Sequence, residues 1–149
     1  MNTGRTVPFL KTPFSEGEAD ISPDNQWVAF RSDESGASET YVTTFPEPGR
    51  RVRVSTDGGW SPRWRDDGTE LFFGSKGKII AASVTVTGRG EKDIRVGVSR
   101  DLFALPDESS IWTPAKGGQR FLVGVQVTKA VPAPIQVVFN WREPATSQK

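Results

Sequence analysis

Two adjacent carboxylate pairs, Asp33-Glu34 and Asp66-Asp67, are the residues of this 149-residue chain best suited by type to proton transfer. Paired carboxylates can divide into an acid and a base only where their environments push the two pKa values apart. Each pair here stands in a polar turn, "DESG" and "DDG", where both groups are expected to be solvated. The chain has no histidine and no cysteine. Ser/His/Asp and Cys/His catalysis, histidine-containing zinc sites, thiolate metal sites and disulfides are thereby excluded, since each needs an imidazole or a sulfur. No catalytic residue, cofactor or metal ligand is assigned, and the chain is expected not to be an enzyme. The alternatives are an enzyme using channel-lining carboxylates, which would need several Asp or Glu to converge with perturbed pKa values, and a purely structural module whose main act is self-association.

Binding chemistry has more candidates. Trp27, Trp60, Trp64, Trp112 and Trp141 could stack on a sugar or cage a cation. Four of them are expected to pack between sheets, whereas Trp60 follows "DGG" in a loop and is expected to be exposed. Trp60, Arg63 and Arg65 therefore form the candidate ligand or partner site, and Arg50, Arg51 and Arg53 add to the local basic character. Nineteen basic residues against eighteen acidic ones leave a formal charge of +1, so no general attraction to nucleic acid or an anionic membrane is implied. No apolar run approaches the roughly 20 residues of a membrane helix, and "MNTGRTVPFL" lacks the apolar centre of a signal peptide. A soluble chain is expected, with no nucleic-acid partner and no membrane insertion; its compartment is undetermined.

The elements that must carry these residues are short. Fifteen Gly and eleven Pro punctuate apolar runs, and no stretch keeps the 3.6-residue period of an amphipathic helix over two turns. The pattern predicts an all-β chain with twelve strands: 6–10, 18–22, 26–31, 39–45, 50–55, 61–65, 69–74, 78–84, 100–104, 109–113, 119–125 and 135–141. Residues 85–99 read as a polar, Gly-rich insertion loop with a short strand at 94–96. "ADISPDNQWVAF" (Ala19 to Phe30) lies over "PRWRDDGTELFF" (Pro62 to Phe73), and "WTPAKGGQRFLV" (Trp112 to Val123) is a weaker third copy. Asp24 and Asp67 hold matching places in the first two turns, where Asp ordinarily accepts local backbone N–H bonds. Four strands per unit of about 40 to 50 residues fit the blade of a β-propeller. "WVAF", "LFF" and "FLV" are apolar at successive positions, as expected of strands covered on both faces. "RRVRVS" alternates charge with valine, as an outer strand should.

These strings resemble the TolB-type, WD-like β-propeller repeat, and in particular the C-terminal propeller segments attached to bacterial serine/threonine protein kinases. The similarity spans about Thr6 to Trp141; the third turn, "AKGG", departs from the pattern by lacking its Asp. The resemblance implies a binding or sensory scaffold of bacterial origin, periplasmic if part of a longer precursor. It also implies that an N-terminal strand closes the last blade.

The expected organisation is thus a single propeller segment over 1–149, with blade one at about 18–55, blade two at about 61–104 and blade three at about 109–141. The third is completed by strand 6–10, carrying Val7, Phe9 and Leu10, from the same or another chain. Three blades do not close a ring, since propellers typically have four to eight. Open apolar faces are expected at Trp27, Val28 and Phe30 on one end and at Phe121, Val123, Val138 and Phe139 on the other. Two arrangements cover them: a homodimer forming a six-bladed ring by strand exchange, or a longer propeller with further blades upstream. A protein or small ligand at the central channel would be the partner in either.

Overall fold

A computed structural model describes residues 6–87, 93–107, 109–126 and 136–138. The described residues are all-β, in three antiparallel sheets that follow one another along the chain. The first contains β1 (Glu16–Ile21), β2 (Trp27–Ser32), β3 (Glu39–Thr44) and β4 (Val52–Arg53) in chain order. The second contains β5 (Trp60–Trp64), β6 (Glu70–Ser75), β7 (Lys78–Thr87) and β8 (Asp93–Ala104) in chain order. The third contains β9 (Ser109–Pro114), β10 (Phe121–Val125) and β11 (Gln136–Val138), with β10 central. Consecutive meanders stacked face to face are β-propeller blades, and the fold is of that class.

Strand parity explains the stacking. Successive side chains of a strand point to opposite faces, so the run Leu71-Phe72-Phe73 must be covered twice. Leu71, Phe73 and Ala82 meet Trp27, Ala29, Val42 and Val54 of blade one. Phe72, Ile79 and Ala81 meet Trp112, Phe121 and Val123 of blade three. The register sets Leu71 opposite Ala82 and Phe72 opposite Ala81, so these two large residues on β6 face small ones on β7, whereas Phe73 faces Ile80. The middle blade therefore carries both seams.

The same parity corrects the expected end faces. Trp27 points into the seam with blade two, while Val28, Phe30 and Tyr41 form the outward side of blade one. Phe121 and Val123 are likewise fully buried against blade two, and the outward residues of blade three are Ile111 and Leu122. The side chain of Val138, and Phe139 and Trp141 altogether, lie outside the described residues.

Three strand expectations also change. The segment 6–10 is not a strand; Phe9 and Leu10, with Phe45, pack against Val28, Phe30 and Tyr41. Its two large apolar side chains find the outward face of blade one, which a strand hydrogen-bonded at the far side of blade three would leave bare. Residues 85–87 and 93–99 of the expected insertion loop are strand, while 88–92 lie outside the described residues: β7 runs on to Thr87 and β8 starts at Asp93, pairing Val84 with Val96 and Val86 with Ile94. The alternation "SVTVT" and "DIRV" puts Val84 and Ile94 in the first seam while Thr85 and Arg95 stay exposed. The outer strand expected over 50–55 is reduced to Val52 and Arg53, opposite Val42 and Tyr41.

Candidate functional site

The first two turns share an Asp Oδ1 that accepts the N–H two residues on, and differ in the hydroxyl that joins it. Asp24 Oδ1 accepts the Gln26 N–H at 3.0 Å and the Ser22 hydroxyl at 2.5 Å. Asp67 Oδ1 accepts the Thr69 N–H at 3.0 Å and the Thr69 hydroxyl at 2.7 Å. Asn25 and Gly68 stand in the left-handed region, at φ 56° and 73°, which Asn and Gly tolerate. Asp67 titrates below the usual carboxylate value: the Thr69 hydroxyl is the chief cause, then the Thr69 N–H, with the Arg65 guanidinium a lesser one.

The third turn has no acid of its own. Gly117 and Gly118 supply its positive φ, and Asp66 of the preceding blade accepts the Gly117 N–H at 2.9 Å. The innermost strands of blades one and two are joined in the same way, by Asp20 accepting the Trp64 N–H at 2.8 Å and Glu18 the Ser61 N–H. Glu18 and Ser61 both adopt positive φ, at matching register shifts 43 residues apart. Glu18 and Asp20 were not singled out in the sequence; their 43- and 44-residue separations from Ser61 and Trp64 follow the repeat.

Neither carboxylate pair acts as a pair. Asp66 bonds blade three whereas Asp67 caps its own turn. Asp33 accepts the Ser15 N–H at 2.8 Å, and Glu34 meets Arg51 at 2.7 Å. Of the four, Asp66 alone joins two blades, and each carboxylate has its own separate partner.

Trp60 and Arg63 stand in β5 and Arg65 directly follows it. Trp60 lies in β5, half-buried against the seam of blades two and three, with its indole over Gly74. A Cβ at Gly74 would overlap that ring, so the expected loop residue is a packing residue. Arg63 donates to the Pro62 carbonyl at 2.7 Å. Arg65 is held by Asp67 at 3.2 Å and Glu70 at 3.1 Å. Arg50 pairs with Asp93 at 2.9 Å, and Arg51 with Glu34 and Glu16.

A further cleft lies in the seam of blades one and two. Ser22, Pro23, Asp24 and Trp27 of the first turn face Trp64, Asp67, Gly68 and Thr69 of the second, and Ser83 to Val86 of the projecting hairpin form the remaining wall. The cleft encloses about 800 Å³. Trp27 and Trp64 are both buried, and the indole N–H of each has no acceptor among the described residues. The indole of Trp112, in the seam of blades two and three, is in the same state, so the unmet donors belong to the packing of both seams. A smaller hollow of about 320 Å³ lies nearby in the same seam, lined by Val54, Phe73 and Ile80 and rimmed by the exposed pairs Lys76–Asp57 and Lys78–Asp101.

Neither a protein-family model nor a curated protein matches the sequence. Among solved structures, oligogalacturonate lyase from Vibrio parahaemolyticus, a β-propeller, is similar over 69% of this chain at 11% identity, with a TM-score of 0.49. The chain spans about a quarter of that protein, the match covering 26% of its length.

Proposed function

We propose that the chain is a non-enzymatic β-propeller interaction module whose three blades close into a ring with the three blades of a second copy. The observation that carries this reading is the outward face of blade three. Ile111 and Leu122 stand within β9 and β10 yet expose 66% and 42% of their surface. Apolar residues in mid-strand are ordinarily covered by the next blade, and a ring of six lies within the usual propeller range. Two-fold closure is the commonest oligomer symmetry, and exchange of a terminal segment is a low-cost route to it. In this reading Val7, Phe9 and Leu10 leave blade one and supply the outer strand of the partner's third blade. The vacated face of Val28, Phe30 and Tyr41 then receives the partner. A sensory role beside a bacterial serine/threonine kinase rests on the resemblance of the repeat strings alone.

Light scattering over a dilution series tests this directly. A mass twice the 16.3 kDa of the monomer is expected, and Ile111→Glu with Leu122→Glu should return it to monomer. A monodisperse, folded monomer at every concentration overturns ring closure, and a polydisperse product would point to missing upstream blades.

A further inference from the structure

The turns of the three blades are one structure repeated. Asn25, Gly68 and Gly118 each donate a backbone N–H to the carbonyl three residues back, at Ser22, Arg65 and Ala115. Pro23, Asp66 and Lys116 therefore hold one place in the repeat, Asp24, Asp67 and Gly117 the next, and Asn25, Gly68 and Gly118 the one after. In both seams the first of these places touches the turn of the following blade. Pro23 Cδ lies 4.0 Å from where a Cβ on Gly68 would stand. Asp66 Oδ1 accepts the Gly117 N–H at 2.9 Å.

The same geometry one blade on sets Lys116 against the turn of whatever blade covers Ile111 and Leu122. In a ring of two copies that is the first turn of the second copy, where Asp24 holds the place of Gly117. Lys116 is exposed and has no ion pair or hydrogen bond among the described residues. Asp24 is exposed as well, and it uses Oδ1 for both of its hydrogen bonds, which leaves Oδ2 to another donor. We propose that Lys116 of each copy pairs with Asp24 of the other, and that these two ion pairs fix the register of ring closure. The assignment rests on the two-copy ring proposed above. The chain itself holds neighbouring blades together at the first two seams, where a proline contact and a carboxylate on a backbone N–H suffice. The closing seam must be found by diffusion, and opposite charges steer encounter and penalise a wrong match.

The test is sedimentation equilibrium of the full chain and its variants, read as the dimer dissociation constant. Lys116→Asp removes two exposed pairs and sets like charges together, and should weaken the dimer about tenfold. Lys116→Asp with Asp24→Gly rebuilds at the closing seam the Asp66–Gly117 pairing of the second seam, and should recover most of that loss. Lys116→Ala should weaken the dimer about three- to fivefold and flatten its salt dependence, since exposed pairs are screened by salt. Should Asp24→Gly fail to fold for want of its cap, the salt slopes of wild type and Lys116→Ala give the second reading. A dimer unchanged by Lys116→Asp, equal salt slopes in wild type and Lys116→Ala, or a folded double variant no tighter than Lys116→Asp alone overturns the pairing and leaves ring closure standing. A wild-type chain that forms no dimer at any concentration overturns ring closure and the pairing together.

Discussion

Blade one and blade three end the stack with apolar outward faces, but they cover them differently. Val28, Phe30 and Tyr41 of blade one are 4%, 2% and 4% exposed, because Phe9, Leu10 and Phe45 of the same chain lie over them. Nothing among the described residues lies over Ile111 and Leu122. Turn chemistry follows the same division: Asp24 caps its own turn, whereas Gly117 of the third turn takes its carboxylate from Asp66 in blade two. Blade one supplies itself and blade three borrows. Dependence on a neighbour is the ordinary condition of a repeat unit, which cannot bury both faces alone; the N-terminal strap makes blade one the exception.

The largest expected effect separates the two sides of one strand. Phe121 touches the rings of Phe72, Phe103 and Trp112, with centroids 5.2, 5.1 and 6.2 Å away, so Phe121→Ala should cost about 3–5 kcal/mol in urea unfolding. Its neighbour Leu122 faces outward, and Leu122→Ala should fall within about 0.5 kcal/mol in the monomer. Comparable losses at the two positions would break the parity on which the comparison rests.

Next in size is the strap. Phe9 lies 5.7 Å from the ring of Phe45 and over the Val28–Phe30–Tyr41 face. Phe9→Ala should lower stability by about 1–2 kcal/mol, the value of a partly buried aromatic, and should raise binding of a hydrophobic dye. If dye binding is unchanged, the strap is not what distinguishes blade one from blade three.

How much of this was legible depended on whether a signal was local. The turn residues Asp24, Asp67 and Gly68 could be read from the repeat, because Asx turns are built from neighbours in sequence. The doubly apolar runs marked the stacked strands, yet which residue faced which seam could not be settled from them. A one-residue change of parity exchanges Trp27 with Val28, and Phe121 with Leu122. The projecting hairpin was missed because Gly88 and Gly90 outweighed the alternation around Val84 and Ile94. The cleft was invisible for a different reason: Trp27 and Trp64 are 37 residues apart, meet only across a seam, and show unmet donors only in three dimensions.

A smaller effect probes borrowing directly. Asp66→Ala removes the acceptor of the Gly117 N–H, one hydrogen bond at an exposed turn, with an expected cost of about 0.5–1 kcal/mol. Amide exchange should quicken at Gly117 while Gln26 and Thr69, capped from within their own turns, keep their protection. Equal acceleration at all three amides would mean that the turns are coupled and that blade three is no more dependent than the others.

The smallest effect is acid titration, and it separates a turn with its own carboxylate from one without. Asp67 titrates below the usual 3.8, chiefly because the Thr69 hydroxyl and then the Thr69 N–H bond its ionised form. A carboxylate whose folded pKa is lowered adds stability above its unfolded value, and that contribution is lost as pH falls through the folded value. Lowering the pH through and below 3.8 should therefore loosen the second turn, with the Thr69 amide shift reporting a midpoint under 3.8. The gain is small because the carboxylate is solvated. Thr69→Ala removes the leading cause but keeps the backbone bond, so it should bring the midpoint part of the way back toward 3.8. The Gly118 N–H, bonded to the Ala115 carbonyl, carries no titratable partner and should stay flat over the same range. A Thr69 midpoint at or above the usual value would remove the electrostatic half of the contrast between self-capped and borrowed turns, leaving only the geometry.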